Sequence, residues 1–233
     1  MDSFISGVVQ NIAANIFVVI LLFILGWIVA QKFRWRLFGA VFRLRKNGVS
    51  NIFLNRAEYI SRRSRVLHEV IESAQRDFTY VGIYVSVATD QARIDNSIRA
   101  LIQRGCLVTI VLLNDAVGDE TIEYLEDHMA FGRDTLRGRV RHAKEHFLEL
   151  RNSLAPGQVQ LLDIRLHKLP LTASAFIIDR EETRSTMLVD SKWYGEGREK
   201  SFGLEFEGQS ETDSLFGWAK ASFVRIATNA VAV

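Results

Sequence analysis

The sequence predicts an α/β domain, a mixed sheet with helices on both faces, preceded by one transmembrane helix. Three observations carry that reading. No charged residue occurs between Ser3 and Gln31. Two strand-like runs, Tyr80–Ala88 and Cys106–Leu113, flank one amphipathic run. Beyond Pro156-Gly157, short β-type runs follow one another until helical sequence closes the chain. The composition agrees: 233 residues, 48% hydrophobic and 24% charged, fit one or two folded domains and exclude low-complexity disorder. The single cysteine, Cys106, excludes an intrachain disulfide framework and a cysteine-based zinc cluster, and fits a reducing compartment.

The anchor comes first. As a helix, the almost wholly apolar Ile12–Ala30 is ~28 Å long at ~1.5 Å per residue, close to the ~30 Å hydrocarbon core. Phe17–Leu25 has no polar stripe, as a buried core helix would have, and Asp2 stands where a signal peptide carries positive charge. Residues 1–31 therefore read as a transmembrane anchor. Lys32, Arg34, Arg36, Arg43, Arg45 and Lys46 follow it with no intervening acid, which predicts a cytoplasmic C-terminal part and an outer N-terminus: a single pass of the inner (plasma) membrane of a bacterial cell. Phe33, Trp35, Leu37, Phe38, Val41, Phe42 and Leu44 interleave with these cations. Residues 32–50 thus read as a basic-aromatic juxtamembrane segment, with Arg34, Trp35, Arg36, Arg43, Arg45 and Lys46 at the lipid surface, or as an ordinary positive flank with an aromatic belt. Without these six cations and Asp2, the net charge of +2 becomes about −3 for residues 47–233. That balance makes nucleic acid a poor electrostatic match.

Residues 51–233 read as the cytoplasmic domain. Ala57, Ile60, Ser64, Leu67, Ile71 and Ala74 recur at three- and four-residue steps, predicting a helix over Asn55–Asp77. Tyr80–Ala88 is β-branched and aromatic, a strand. Asp90 is placed to cap a helix whose apolar face is Ile94, Ile98, Leu101 and Ile102, ended by Gly105. Cys106–Leu113 is the second strand, and the three elements make a right-handed βαβ unit with a parallel pair. Helical sequence over Glu120–Leu150 is interrupted near Gly132 or Gly138. Strands are predicted at Val159–Leu166, Ala173–Asp179, Thr186–Val189 and Phe202–Phe206, and a last helix at Thr212–Ile226.

This order resembles one half of a phospholipase D-like domain. The residues that carry the resemblance are Ala175-Phe176-Ile177-Ile178-Asp179, Met187–Trp193 and Ser201–Phe206, and it covers about residues 55–228. The resemblance implies a catalytic motif H-x-K-x-x-x-x-D followed by G-S-x-N, in which the histidine attacks a phosphodiester and the lysine holds phosphate oxygens. Asp179 and Ser191 match that motif, but Thr172 stands for the histidine, Ser174 for the lysine, Asp190 for the glycine and Trp193 for the asparagine. A hydroxyl without a neighbouring base is a weak nucleophile, and a carboxylate at 190 repels phosphate. The domain therefore reads as a degenerate, non-catalytic unit. His167 is the alternative nucleophile, twelve residues from Asp179 instead of seven. His142-Ala-Lys144 spells a similar string on a helix, and His142 with His146 is an i, i+4 pair too small for a metal site. No metal and no cofactor are expected.

The crevice at the carboxyl ends of the parallel strands is the remaining candidate site. Ser86, Thr89, Asn114, Asp115, Thr172, Ser174 and Asp179 are placed to reach it, and the loop Ser191–Lys200 to close over it. Trp193 and Tyr194 are suited to stacking, Arg198 to a phosphate, and Asp115, Trp193, Tyr194 and Arg198 are the candidate binding residues. Three functions stay open: a ligand- or partner-binding sensor or adaptor; a dimeric phosphodiesterase acting on lipid headgroups or nucleotides; and a structural membrane-associated oligomer. The expected partners are the bilayer, a second copy of the chain in a homodimer or higher oligomer, and a small phosphate-containing ligand or a protein.

Overall fold

The computed structural model describes residues 39–55, 58, 67–85, 91–132, 135–180, 184–196, 200–209 and 213–233. Two compact units are present, 1–46 and 47–233. In the first, only 39–46 are described; they are helical, with Val41 50% and Phe42 70% exposed among exposed Arg43, Arg45 and Lys46. The Ile12–Ala30 stretch, Arg34, Trp35 and Arg36 lie outside the described residues. Among those described, no helix is long and apolar enough to cross a membrane.

The second unit is built on one eight-stranded sheet. Its strands are β1 (Val49–Phe53), β2 (Asp77–Val81), β3 (Leu107–Leu113), β4 (Leu162–His167), β5 (Ala173–Ile178), β6 (Arg184–Ser191), β7 (Phe202–Gln209) and β8 (Val231–Ala232). They lie in the order β1-β7-β6-β5-β2-β3-β4-β8. β2, β3 and β4 are parallel, and every other pairing is antiparallel, so the sheet is mixed as expected. Among the described residues five helices accompany it: α1 (Leu67–Glu72), α2 (Gln91–Gln103), α3 (Asp119–His128), α4 (Thr135–Asn152) and α5 (Leu215–Asn229).

Strand alternation explains the layers. On β2 and β3, Phe78, Tyr80, Val108, Ile110 and Leu112 point into one core with Ile71 of α1, Ile98, Leu101 and Ile102 of α2, and Phe147 of α4. Their neighbours Val81 and Val111 point the other way, against Ala227 and Phe223 of α5. The central strands are therefore covered on both faces, which is why Leu107–Leu113 is almost continuously apolar.

Several element bounds need correction. The helix expected to run to Asp77 ends at Glu72, and Asp77 opens β2. The strand expected at Tyr80–Ala88 begins three residues earlier and ends at Val81. A pair of carboxylates sets its start. Asp179 Oδ1 accepts the backbone N–H groups of Gln75 and Arg76, both at 2.9 Å, while Asp77 Oδ1 accepts that of Arg180 at 3.1 Å. Ser50, expected at the end of the juxtamembrane segment, lies inside β1, and the unit boundary falls at Lys46/Asn47. Val159–Leu161 is a 3-10 turn, so β4 starts at Leu162. The break in the long helical stretch falls at Gly132, with Gly138 inside α4.

Candidate functional site

Gly82, the residue after β2, is the centre of the site. Its carbonyl accepts a hydrogen bond from His167 Nε2 at 3.0 Å, and the Leu169 N–H donates to His167 Nδ1 at 3.2 Å. Those two contacts fix the neutral tautomer with the proton on Nε2. His167 is 4% exposed, and burial pushes its imidazole below the ordinary histidine range. Both ring nitrogens are thus engaged in holding the turns after β2 and β4 together.

Ser174 lies on the other side of Gly82. A Cβ on Gly82 would stand 2.8 Å from the Ser174 Cβ and 2.3 Å from the Tyr80 hydroxyl, which donates to the Tyr84 carbonyl at 2.9 Å. Ser174 is 6% exposed and pairs across the β5–β6 hairpin with Asp190, as Ala173 does with Ser191. Thr172 is half-buried, and its carbonyl accepts the Lys192 N–H at 3.0 Å. The fold thus brings Thr172, Ser174, Ser191 and His167 to one end of the sheet.

Asp179 does not join them. It sits at the opposite end of β5, roughly 17 Å along the strand from Ser174 at ~3.4 Å per residue. Its carboxylate is occupied by the turn before β2, and its φ of +51 is one that aspartate tolerates better than most residues.

Asp115 follows β3 at the carboxyl ends of the parallel strands. Lys144 of α4 reaches its Oδ1 at 2.6 Å, and Arg141 its Oδ2 at 3.5 Å. The hydrogen bond from Lys144 holds the Asp115 carboxyl below its ordinary value. Arg137 donates to the Asp115 and Val117 carbonyls and to Asp119. These contacts pin the loop after β3 onto α4. Beside it, Ile83, Leu113, Val117, Ile122, Leu125 and Met129 form a buried apolar cluster in which α3 packs against Ile83 and Leu113.

The loop after β6 leaves its aromatics outside. Trp193 is 54% and Tyr194 67% exposed. Trp193 packs on Phe202, with ring centroids 5.0 Å apart, and Tyr194 meets the edge of His128 at 5.3 Å. Ser86, Thr89 and Arg198 lie outside the described residues. Among the described residues, no group of three or more His, Cys, Asp or Glu is placed to hold a metal ion; His146 pairs with Asp95 at 2.9 Å.

Sequence reasoning missed two residues here. Gly82 carried a usable signal, because an isolated glycine inside a strand pattern marks a close backbone approach. His128 carried none, since its role depends on a loop distant in sequence.

No family model and no curated protein matches the chain. Among solved structures, that of TrmBL2, an archaeal chromatin protein described as showing a novel mode of DNA binding, is similar at 12% identity with a TM-score of 0.44. The match covers 88% of this chain and 63% of that one, so the chain spans less than two thirds of that protein.

Proposed function

We propose that the chain is a membrane-anchored, cytoplasmic module of phospholipase D-like type that binds a ligand or protein partner and does not hydrolyse phosphodiesters. The observation that carries this reading is the state of the histidine nearest the motif. His167 is buried and neutral, with both nitrogens bonded to backbone, so it offers no free lone pair for attack on phosphorus. Thr172 and Ser174 occupy the motif's histidine and lysine positions, and apolar side chains of α3 pack against Ile83 and Leu113 after β2 and at the end of β3. What such a scaffold retains is surface, and the exposed Trp193 and Tyr194 are where it presents aromatic faces to a partner.

The anchor rests on the uncharged Ser3–Gln31 stretch and the cations after it. Exposed Val41 and Phe42 beside Arg43, Arg45 and Lys46 suit an anionic headgroup layer, where each cation contributes about 1 kcal/mol. Protease added to intact cells should leave residues 50–233 whole and digest them only after permeabilisation. Digestion in intact cells would reverse the topology.

A further inference from the structure

Helix α3 presents an acidic, aromatic side to solvent. Glu120, Glu123, Tyr124 and Asp127 are all exposed, and three- and four-residue spacings put Tyr124 on one face with Glu120 and Asp127. The Tyr124 ring lies 5.9 Å from that of His128, which in turn meets Tyr194 at 5.3 Å. One imidazole is therefore flanked by two tyrosines, 46% and 67% exposed. The backbone fixes the arrangement: the Gly195 N–H donates to the His128 carbonyl at 2.9 Å, and His128 Nε2 faces the Lys192 carbonyl at 3.2 Å.

Facing a carbonyl, Nε2 carries the proton, which leaves a lone pair on Nδ1. His128 is 8% exposed, and its Nδ1 has no hydrogen-bond partner among the described residues. The charges alongside favour a cationic visitor. Asp119 is held by Arg137 and Glu196 by Lys200, whereas Glu120, Glu123 and Asp127 are in no ion pair among the described residues.

Exposed aromatic faces beside unneutralised carboxylates attract cations and repel phosphate. Arginine fits best. Its guanidinium stacks on a tyrosine and takes a carboxylate through paired N–H groups, which an ammonium cannot do. We propose that Tyr124, Tyr194, His128 and the carboxylates Glu120, Glu123 and Asp127 form a docking surface for an arginine-rich protein segment. This deepens the binding-module reading by naming the partner's chemistry.

The test is binding of a fluorescent Arg-Gly-Gly repeat peptide to the full chain in nanodiscs, beside a Lys-Gly-Gly peptide of equal charge. The arginine peptide should bind more tightly than the lysine peptide. Tyr124→Ala and Tyr194→Ala should each weaken it about fivefold, the equivalent of one cation–π contact. Glu123→Gln combined with Asp127→Asn should weaken it further and flatten its salt dependence. All four positions are exposed, so the variants should keep the parent's thermal midpoint. No binding, equal binding by all variants, or a preference for a polyanion would each overturn the proposal. None of these outcomes touches the absence of hydrolysis, and hydrolytic turnover would defeat the adaptor reading without touching this surface.

Discussion

Gly82→Ala should lower the thermal midpoint of the domain by roughly 6–12 °C, the counterpart of about 3 kcal/mol in a domain of this size. The added methyl would stand 2.3 Å from the Tyr80 hydroxyl, 2.7 Å from its Cζ and 2.8 Å from the Ser174 Cβ. None of these can retreat cheaply. Tyr80 is 3% exposed, its ring packs on Phe176 at 5.0 Å, and its hydroxyl is bonded to the Tyr84 carbonyl. Ser174 belongs to β5 and is held by its pairing with Asp190. Tyr80→Phe removes the closest atom, so the same glycine substitution should cost less in that background. Equal costs in both backgrounds, measured by thermal unfolding, would show that the hydroxyl is not the obstacle.

His167→Ala should cost a similar amount, about 3 kcal/mol, because it opens a cavity and strands the Gly82 carbonyl and the Leu169 N–H. A pH dependence separates this from a simple loss of packing. Burial lowers the folded-state pKa of His167, so below the ordinary value of about 6.5 the unfolded chain binds a proton that the folded chain resists. Its contribution is fully present above pH ~6.5 and is lost as pH falls through that value toward the folded one. His167→Gln should remove this component of the acid sensitivity. Denaturation at pH 7.5 and pH 5, compared between parent and His167→Gln, checks it. A parent whose pH response matches the variant's would contradict the buried neutral tautomer.

Elements whose own composition decides them were legible in the sequence. Leu107–Leu113 is apolar because both its faces are covered, and the α2 face of Ile94, Ile98, Leu101 and Ile102 is buried as its spacing predicts. The hairpin from Ala173 to Ser191 was legible in the same way. Elements set by distant partners were not. β1 was not predicted as a strand because what makes it one is β7, some 150 residues away, and the turn before it needs Gly48 at a φ of +84 against Phe216. The helical spacing of Ile71 and Ala74 continues to Phe78, so nothing local announces that Asp179 ends the turn and starts β2 at Asp77. At the site, the motif positions Thr172, Ser174 and Ser191 were placed at one end of the sheet by strand register alone. The transfer of Asp179 to the far end follows from the same register. The capture of His167 by Gly82 and the flanking of His128 by two tyrosines depend on loop geometry that composition does not encode.

The proposal to be tested is that the chain, whose sequence resembles a phospholipase D-like half-domain, does not hydrolyse phosphodiesters. Turnover of bis(p-nitrophenyl) phosphate by the full chain in nanodiscs tests it most directly, with the parent, His167→Gln and Thr172→Ala assayed side by side and the acid-quenched protein examined for phosphohistidine. The expected result is the buffer rate for all three and no phosphohistidine. Turnover by the parent that disappears in His167→Gln, with phosphate trapped on the histidine, would contradict the account and make His167 the nucleophile.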